Sequence, residues 1–179
     1  MESPTYHNLG NHSETIEIVY DPSVISYRDL LDVFWYSHSP TAMPYSYQYK
    51  SIIFYHNDEQ KALAEESKNN IQAGLGRQVY TEIVPAGTFY PAEDYHQKYY
   101  LRGIPRLEAE LEAKYPDITE FSLSTAVARA NGYAGGFGTP EVLREELGLM
   151  GLSPEGEAII KQLVERRGII PACPASVTP

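Results

Sequence analysis

The chain has 179 residues, of which 42% are hydrophobic and 21% are charged, as in an average globular protein. Lys and Arg number 14 and Asp and Glu number 24, so the formal net charge is −10. This acidic balance argues against a nucleic-acid partner held by charge. The single cysteine excludes an intrachain disulfide framework and a zinc site built from several thiolates, and it suits a reducing compartment such as the cytoplasm.

Two further properties concern targeting and membranes. Residues 1–20 contain three glutamates and no apolar block, which predicts that no signal peptide is present. No window approaches 18 consecutive apolar residues, which predicts no membrane span. We therefore expect a cytoplasmic protein without a membrane partner.

The first half of the chain predicts alternating strands and helices. Residues 14–20 alternate, with Ile16 and Ile18 on one face, which predicts a strand. Ser26 and Asp29 form an approximate capping box for a helix that runs to Phe34. A loop at 37–47 is followed by the remaining predicted elements, a strand at 51–55, a helix at 57–72 and a strand at 79–84. This order predicts an α+β fold, a mixed sheet with helices on one face.

The second half predicts helices. Pro91 is placed to begin a helix over residues 92–101, and Thr139 and Ser153 are N-caps that precede prolines at the first helical position. The other predicted helices are 105–115, 119–130, 140–147 and 154–166. Residues 131–138 are interpreted as a flexible loop, and the glycine run at 135–138 within it lacks the Lys and Ser/Thr of a phosphate-binding loop.

Three groups of residues are chemical candidates. Glu93 and His96 would share a helix face as in some carboxylate metal sites, but one such pair is a weak signal, and we expect no metal. Cys173, between prolines near the end of the chain, is predicted to be exposed and oxidisable, and we interpret it as an incidental thiol. Glu14 near several tyrosines is a carboxyl that can bind a polar oxygen and protonate it, although tyrosines at strand entries are usually structural.

Several segments, in order along residues 4–102, resemble the A-type peptide-methionine sulfoxide reductases. The clearest match is Phe89–Leu101, which reads Phe-Tyr-x-Ala-Glu-Asp-Tyr-His-Gln-x-Tyr-Tyr-Leu. The other matching segments are Pro4–Tyr6, Gly10–Glu14, Tyr20–Pro22, Ser26–Trp35, His38–Thr41 and Gln48–Ile52. The resemblance implies a ferredoxin-like core over residues 1–103, a helical C-terminal extension over 104–167 and a disordered tail over 168–179.

The resemblance also implies an activity and its residues. The family reduces the S epimer of methionine sulfoxide, free or in peptides, through attack of a cysteine thiolate on the sulfoxide sulfur. A sulfenic acid forms and is resolved by a thiol, and thioredoxin restores the enzyme. Glu14 matches the family's buried acid, and Tyr6 and Tyr49 match the two tyrosines that bind the sulfoxide oxygen. No cofactor is implied.

One departure from the family pattern qualifies this expectation. The nucleophile of the family lies in Gly-Cys-Phe-Trp-Gly, which does not occur in this sequence. We therefore expect the chain to lack the family's first strand and helix, to be less stable than a complete member, and to be inactive as written. Two alternatives stay open: a non-catalytic remnant that binds methionine sulfoxide or a protein partner, and a site in which Cys173 folds back to supply the thiol.

Overall fold

The computed structural model describes residue 10 and residues 12–167. These residues divide into two compact units on either side of the bond between Pro91 and Ala92. The first unit contains helices and a small sheet, and the regular elements of the second are helical. The predicted α+β class is therefore confirmed, while the predicted domain limits at residues 103 and 167 stay a prediction. Among the described helices, none is long and apolar enough to cross a membrane.

The sheet of the first unit consists of strands β1 (Ile52–Tyr55) and β2 (Glu82–Pro85), which pair in parallel. Parallel strands need a long crossover, and helix α2 (Asp58–Leu75) provides it. Helix α1 (Tyr27–Tyr36) precedes the sheet in the chain and contacts α2. The buried core of this unit contains Leu31, Trp35, Ile53, Ala64 and Val79.

The start of α1 follows the capping box that the sequence predicts. The Ser26 hydroxyl accepts a hydrogen bond from the Asp29 N–H at 3.2 Å, and the Asp29 carboxylate accepts one from the Ser26 N–H at 2.9 Å. The Ser26 hydroxyl also donates to the Asp29 carboxylate at 2.5 Å, and this hydrogen bond, together with that from the Ser26 N–H, holds the pKa of Asp29 below its ordinary value. Two backbone N–H groups that the helix leaves without partners are thereby satisfied.

Replacing Ser26 with Ala is expected to lower the free energy of unfolding by about 1 kcal/mol, because a cap hydrogen bond is lost. Urea unfolding followed by the fluorescence of Trp35, which lies within α1, measures the change. Ser26→Thr is the matched control, since its hydroxyl can accept from the Asp29 N–H and donate to the Asp29 carboxylate as the serine does. A loss in Ser26→Thr as large as in Ser26→Ala would show that the cap is not the cause.

The strand predicted over residues 14–20 is wrong. This segment has no strand pairing in the described part of the chain, and its apolar side chains are open to solvent, with Ile16 85% and Val19 80% exposed. Strands are stabilised by pairing of their backbone groups, and alternation alone supplies no partner. The sheet of the described residues is therefore a parallel pair, and the predicted mixed sheet is not found.

The predicted strand at 79–84 is placed correctly but begins later than expected. The Tyr80 N–H donates to the Pro40 carbonyl at 2.9 Å, and the Val79 N–H donates to the Gln72 side-chain oxygen at 3.1 Å. Because these backbone groups bond outside the sheet, the ladder with β1 begins at Glu82.

The second unit packs five α-helices around its own core. They are α3 (Pro105–Lys114), α4 (Ile118–Leu123), α5 (Thr125–Ala134), α6 (Pro140–Glu146) and α7 (Pro154–Arg167). The largest fully buried side chains among them belong to Leu107, Leu111, Phe121, Val127 and Ile160. The predictions for α3, α6 and α7 are confirmed.

A single helix over residues 119–130 is wrong. Ser124 has an extended backbone, and its hydroxyl accepts a hydrogen bond from the Val127 N–H at 3.3 Å. Ser124 therefore ends α4 and caps α5, since Ser competes with the helix by bonding to nearby backbone groups. Helix α5 continues to Ala134, inside the segment predicted as a loop.

The helix predicted over residues 92–101 is also wrong. Two 3₁₀ turns, Asp94–His96 and Leu101–Gly103, replace it, and Lys98 between them has a φ of 52°. The Arg102 guanidinium donates to the backbone carbonyls of Asp94 at 2.6 Å and Gln97 at 2.9 Å, and it pairs with Glu108 at 2.8 Å. This arginine supplies from one side chain the hydrogen bonds that stabilise the irregular segment.

The glycine run after α5 is required by close packing. Gly138 has a φ of +91°, and a Cβ at this position would lie 2.6 Å from the ring of buried Tyr133. A Cβ on Gly135 would lie 2.8 Å from the ring of Tyr100. Only glycine allows the backbone to pass so close to these rings.

Candidate functional site

Two irregular segments of the first unit, 12–14 and 47–50, lie side by side. The Glu14 N–H donates to the Gln48 carbonyl at 3.0 Å, and the Ser13 hydroxyl donates to the Tyr47 carbonyl at 2.8 Å. These bonds join parts of the chain that are 34 residues apart in sequence. They bring Glu14 next to Tyr49, the two predicted site residues that the structure describes.

The side chain of Gln48 links these two residues. Its amide nitrogen donates to the Glu14 carboxylate at 2.7 Å and to the Tyr49 hydroxyl oxygen at 3.2 Å. We call these three residues the Glu14–Gln48–Tyr49 cluster. A carboxyl and a phenol that share one amide donor are groups that can hold a polar oxygen and deliver a proton to it.

The cluster is open to solvent. Glu14 is exposed and Tyr49 is 42% exposed. The burial expected for Glu14 is therefore not found in this structure, because the segments that carry the cluster are irregular and solvent-facing. Within the described residues, Glu14 has the position of an accessible acid.

Lys50 anchors the segment that carries the cluster. Its ammonium pairs with the Glu82 carboxylate of β2 at 2.8 Å, and this hydrogen bond is the main reason why its pKa is raised. The same ammonium lies 3.8 Å from the centre of the Tyr47 ring. Sequence reasoning missed Lys50, because nothing local indicates that residue 82 lies beside it.

Two tyrosine rings lie in a tilted contact at one side of the cluster. The ring centres of Tyr45 and Tyr49 are 5.5 Å apart, and their planes are inclined by 31°. Tyr45 is 82% exposed, so most of its ring faces solvent. The contact places an open aromatic surface next to the polar groups of the cluster.

The other predicted candidates have different outcomes. Tyr6 and Cys173 lie outside the described residues, so their roles stay predictions. Glu93 and His96 do not share an α-helical face, because a 3₁₀ turn replaces the predicted helix. Within residues 12–167, no group of three or more His, Cys, Asp or Glu side chains is arranged to hold a metal ion.

The fold and the cluster define an α+β protein with a site suited to a polar oxygen atom, and comparison with known proteins gives the family. The profile of the peptide methionine sulfoxide reductase family matches residues 1–120. This match covers more than half of the chain. The chain therefore belongs to the peptide methionine sulfoxide reductase family, and the resemblance found in the sequence motifs is confirmed.

Individual relatives agree with the family match. A peptide methionine sulfoxide reductase of Drosophila melanogaster is 42% identical over 153 residues, which are 84% of this chain and 61% of the relative. The peptide methionine sulfoxide reductase MsrA of Methanothermobacter thermautotrophicus is 46% identical over 110 residues, 55% of this chain and 65% of the relative. Peptide methionine sulfoxide reductase A5 of rice is 41% identical over 143 residues, 76% of this chain and 56% of the relative.

This chain spans less than two thirds of the length of each of these relatives. The matched part is 61% of the fly protein, 65% of the Methanothermobacter protein and 56% of the rice protein. The similarity to the fly protein covers 84% of the chain, so it extends beyond the residues that the family profile matches. Part of the helical second unit is thus shared with the fly protein.

Proposed function

We propose that this chain carries the oxygen-binding part of a peptide-methionine (S)-S-oxide reductase, a repair enzyme that converts methionine S-sulfoxide, free or in proteins, to methionine. The observation that carries this proposal is the Glu14–Gln48–Tyr49 cluster. Family membership supplies the reaction class, and the cluster supplies the groups that a sulfoxide oxygen requires.

The proposed reaction transfers one oxygen atom from methionine sulfoxide to a thiol. It begins with attack of the thiolate on the sulfoxide sulfur, and in the net result a bond forms between the thiol sulfur and the oxygen while the oxygen–sulfur bond of methionine sulfoxide breaks. The products are a sulfenic acid and the thioether of methionine. A dithiol then reduces the sulfenic acid to a thiol, forming water and a disulfide.

The residues of this chain act on the oxygen. The hydroxyl of Tyr49, whose oxygen accepts a hydrogen bond from Gln48, donates its own proton in a hydrogen bond to the sulfoxide oxygen. The amide of Gln48 positions Tyr49 and Glu14, and Glu14 takes up a proton from solvent and delivers it to the oxygen. Tyr6 is proposed as the second tyrosine of this site. The Lys50–Glu82 pair keeps segment 47–50 in place while the substrate binds.

The thiol of the reaction is not among the described residues. The sequence has one cysteine, Cys173, and it lacks the Gly-Cys-Phe-Trp-Gly motif. We propose that the chain by itself binds the sulfoxide but does not reduce it. Capture of the oxygen by a Cys173 that folds back into the site is the alternative that the experiment below separates.

The reductant and the compartment are proposed from the chemistry of the reaction. Thioredoxin, a dithiol reductant, is the proposed partner, and a reducing compartment such as the cytoplasm is the proposed location. The ferredoxin-like arrangement implied by the resemblance is proposed for the core of the whole protein. Neither a metal nor a cofactor is required by the reaction.

The test of the proposed function is binding and turnover of three peptides that differ only in the oxidation or the configuration of one methionine sulfur. They contain methionine S-sulfoxide, methionine R-sulfoxide or methionine, and dithiothreitol is the reductant in the turnover assay. Saturable binding that is strongest for the S-sulfoxide is expected, because only a correctly placed oxygen reaches all donors of the cluster. Equal affinity for the three peptides would contradict the proposal.

The turnover assay decides the role of the single cysteine. We expect no reduction of the S-sulfoxide by the folded chain, since dithiothreitol replaces the resolving thiol but not the nucleophile. Reduction that is lost in Cys173→Ser would instead assign the nucleophile to Cys173. Binding of the S-sulfoxide without turnover is also the result expected of a non-catalytic remnant that binds methionine sulfoxide.

A further inference from the structure

The three tyrosines at positions 45, 47 and 49 differ in what occupies their ring faces. The ammonium of Lys50 lies over the ring of Tyr47, 3.8 Å from its centre. The ring of Tyr49 lies in a tilted contact with that of Tyr45, with 5.5 Å between the ring centres. Tyr45 is 82% exposed, so the outer face of its ring is accessible to a ligand. Among these tyrosines, Tyr45 therefore presents the most open aromatic face beside the cluster.

The chemistry of the proposed reaction creates a use for such a face. When the sulfoxide oxygen receives a proton, positive charge develops on the sulfur and on its methyl and methylene groups. Aromatic ring faces attract cations, and sulfur makes favourable contacts with aromatic rings. The position of Lys50 over Tyr47 shows that a ring in this segment already binds a cation in this way.

We propose that Tyr45 is a substrate-binding residue that recognises the S-methyl group and the positively charged sulfur of the protonated sulfoxide. This inference rests on the proposed function and extends it from the oxygen to the sulfur. The tilted ring contact places Tyr45 beside Tyr49, whose hydroxyl belongs to the oxygen site, so one small ligand can reach both. The ligand class is a methyl sulfoxide or a methyl sulfonium.

A second feature favours Tyr45 over its neighbours. The ammonium of Lys50 lies over the Tyr47 ring and also pairs with the Glu82 carboxylate. A ligand cation at Tyr47 would therefore have to displace this ammonium. No such competitor is needed at Tyr45, whose aromatic neighbour is the uncharged ring of Tyr49. The arrangement thus directs a cationic sulfur toward Tyr45.

The experiment uses two probes with the full chain. The first is the peptide that contains methionine S-sulfoxide, and the second is trimethylsulfonium, a stable cation that mimics the charged sulfur but has no oxygen. tert-Butanol, a neutral molecule of similar size, is the ligand control. Binding is followed by NMR through the ring signals of tyrosine, and the dissociation constants are compared between variants.

The variants separate the aromatic ring from size and from the hydroxyl. Tyr45→Phe keeps the ring, Tyr45→Leu keeps an apolar side chain, and Tyr36→Ala is a matched control because Tyr36 is a 64% exposed tyrosine of α1. We expect Tyr45→Phe to bind both probes like the original chain, and Tyr45→Leu to bind each about three- to fivefold more weakly. Tyr36→Ala is expected to change nothing.

The outcomes distinguish this inference from the proposed function. If the peptide binds and Tyr45→Leu binds it unchanged, the assignment of Tyr45 is overturned while the proposed function stands. If trimethylsulfonium binds no better than tert-butanol, recognition of charge by Tyr45 is overturned. If trimethylsulfonium binds through Tyr45 but the chain does not distinguish the sulfoxide peptides, Tyr45 is upheld as a sulfonium site and the proposed function fails.

Discussion

Replacing Gln48 with Ala is expected to raise the dissociation constant for a methionine S-sulfoxide peptide at least about tenfold, because a hydrogen-bond donor that also bonds to a charged group is lost. The amide of Gln48 spans from the carboxylate of Glu14 to the hydroxyl of Tyr49. Without it, Glu14 and Tyr49 lose the common donor that positions them for the sulfoxide oxygen. The Glu14 N–H still bonds to the backbone carbonyl of residue 48, so the two segments stay together.

The control for this prediction is Gln78→Ala, an exposed glutamine of the same unit that lies outside the cluster. Isothermal titration calorimetry with the three peptides measures the change, and the NMR spectrum of each variant reports its fold. Gln48→Glu is expected to bind as poorly as Gln48→Ala, because it places a second carboxylate beside Glu14. Undiminished binding by Gln48→Ala would show that the oxygen site lies elsewhere.

Replacing Phe121 with Ala is expected to lower the free energy of unfolding by about 3–5 kcal/mol, since a large buried ring is removed and a cavity remains. Phe121 lies on α4 and is 2% exposed within the core of the second unit. Urea unfolding followed by far-ultraviolet circular dichroism detects the change, because the regular elements of this unit are helical.

Leu123→Ala is the matched control for the core prediction. Leu123 lies on the same short helix but is 63% exposed, so its truncation removes little buried apolar surface and leaves no cavity in the core. We expect a change within about 0.5 kcal/mol, as for surface substitutions in general. Equal effects of the two substitutions would mean that α4 is stabilised by its local sequence and not by the core.

Elements with strong local signals could be predicted from the sequence. Prolines stand at the first positions of α6 and α7, as the sequence predicts. The side chains of Ser26 and Thr139 each accept a hydrogen bond from a backbone N–H in the first turn of the helix that they cap. Their energy depends on residues three or four positions apart, so the sequence contains both partners.

The elements that the sequence predicts wrongly depend on contacts with residues outside the local pattern. Residues 14–20 alternate like a strand, yet a strand needs a partner that alternation cannot supply. The helix predicted at 92–101 is replaced by turns whose carbonyls bond to Arg102, and the guanidinium of Arg102 also pairs with Glu108 of α3. The partners in these contacts lie several residues away or on another element, so a local sequence pattern does not include them.

The sequence by itself determined the α+β class, the family and two residues of the site, Glu14 and Tyr49, because these depend on composition, short-range capping and ordered motifs. Only the tertiary structure decided that Gln48 joins these two residues, that Lys50 anchors their segment, and that Tyr45 presents an open ring beside them. The physical reason is that hydrogen bonds and ring contacts act over a few ångströms in space, and residues that lie 32 to 34 positions apart meet only after the chain has folded.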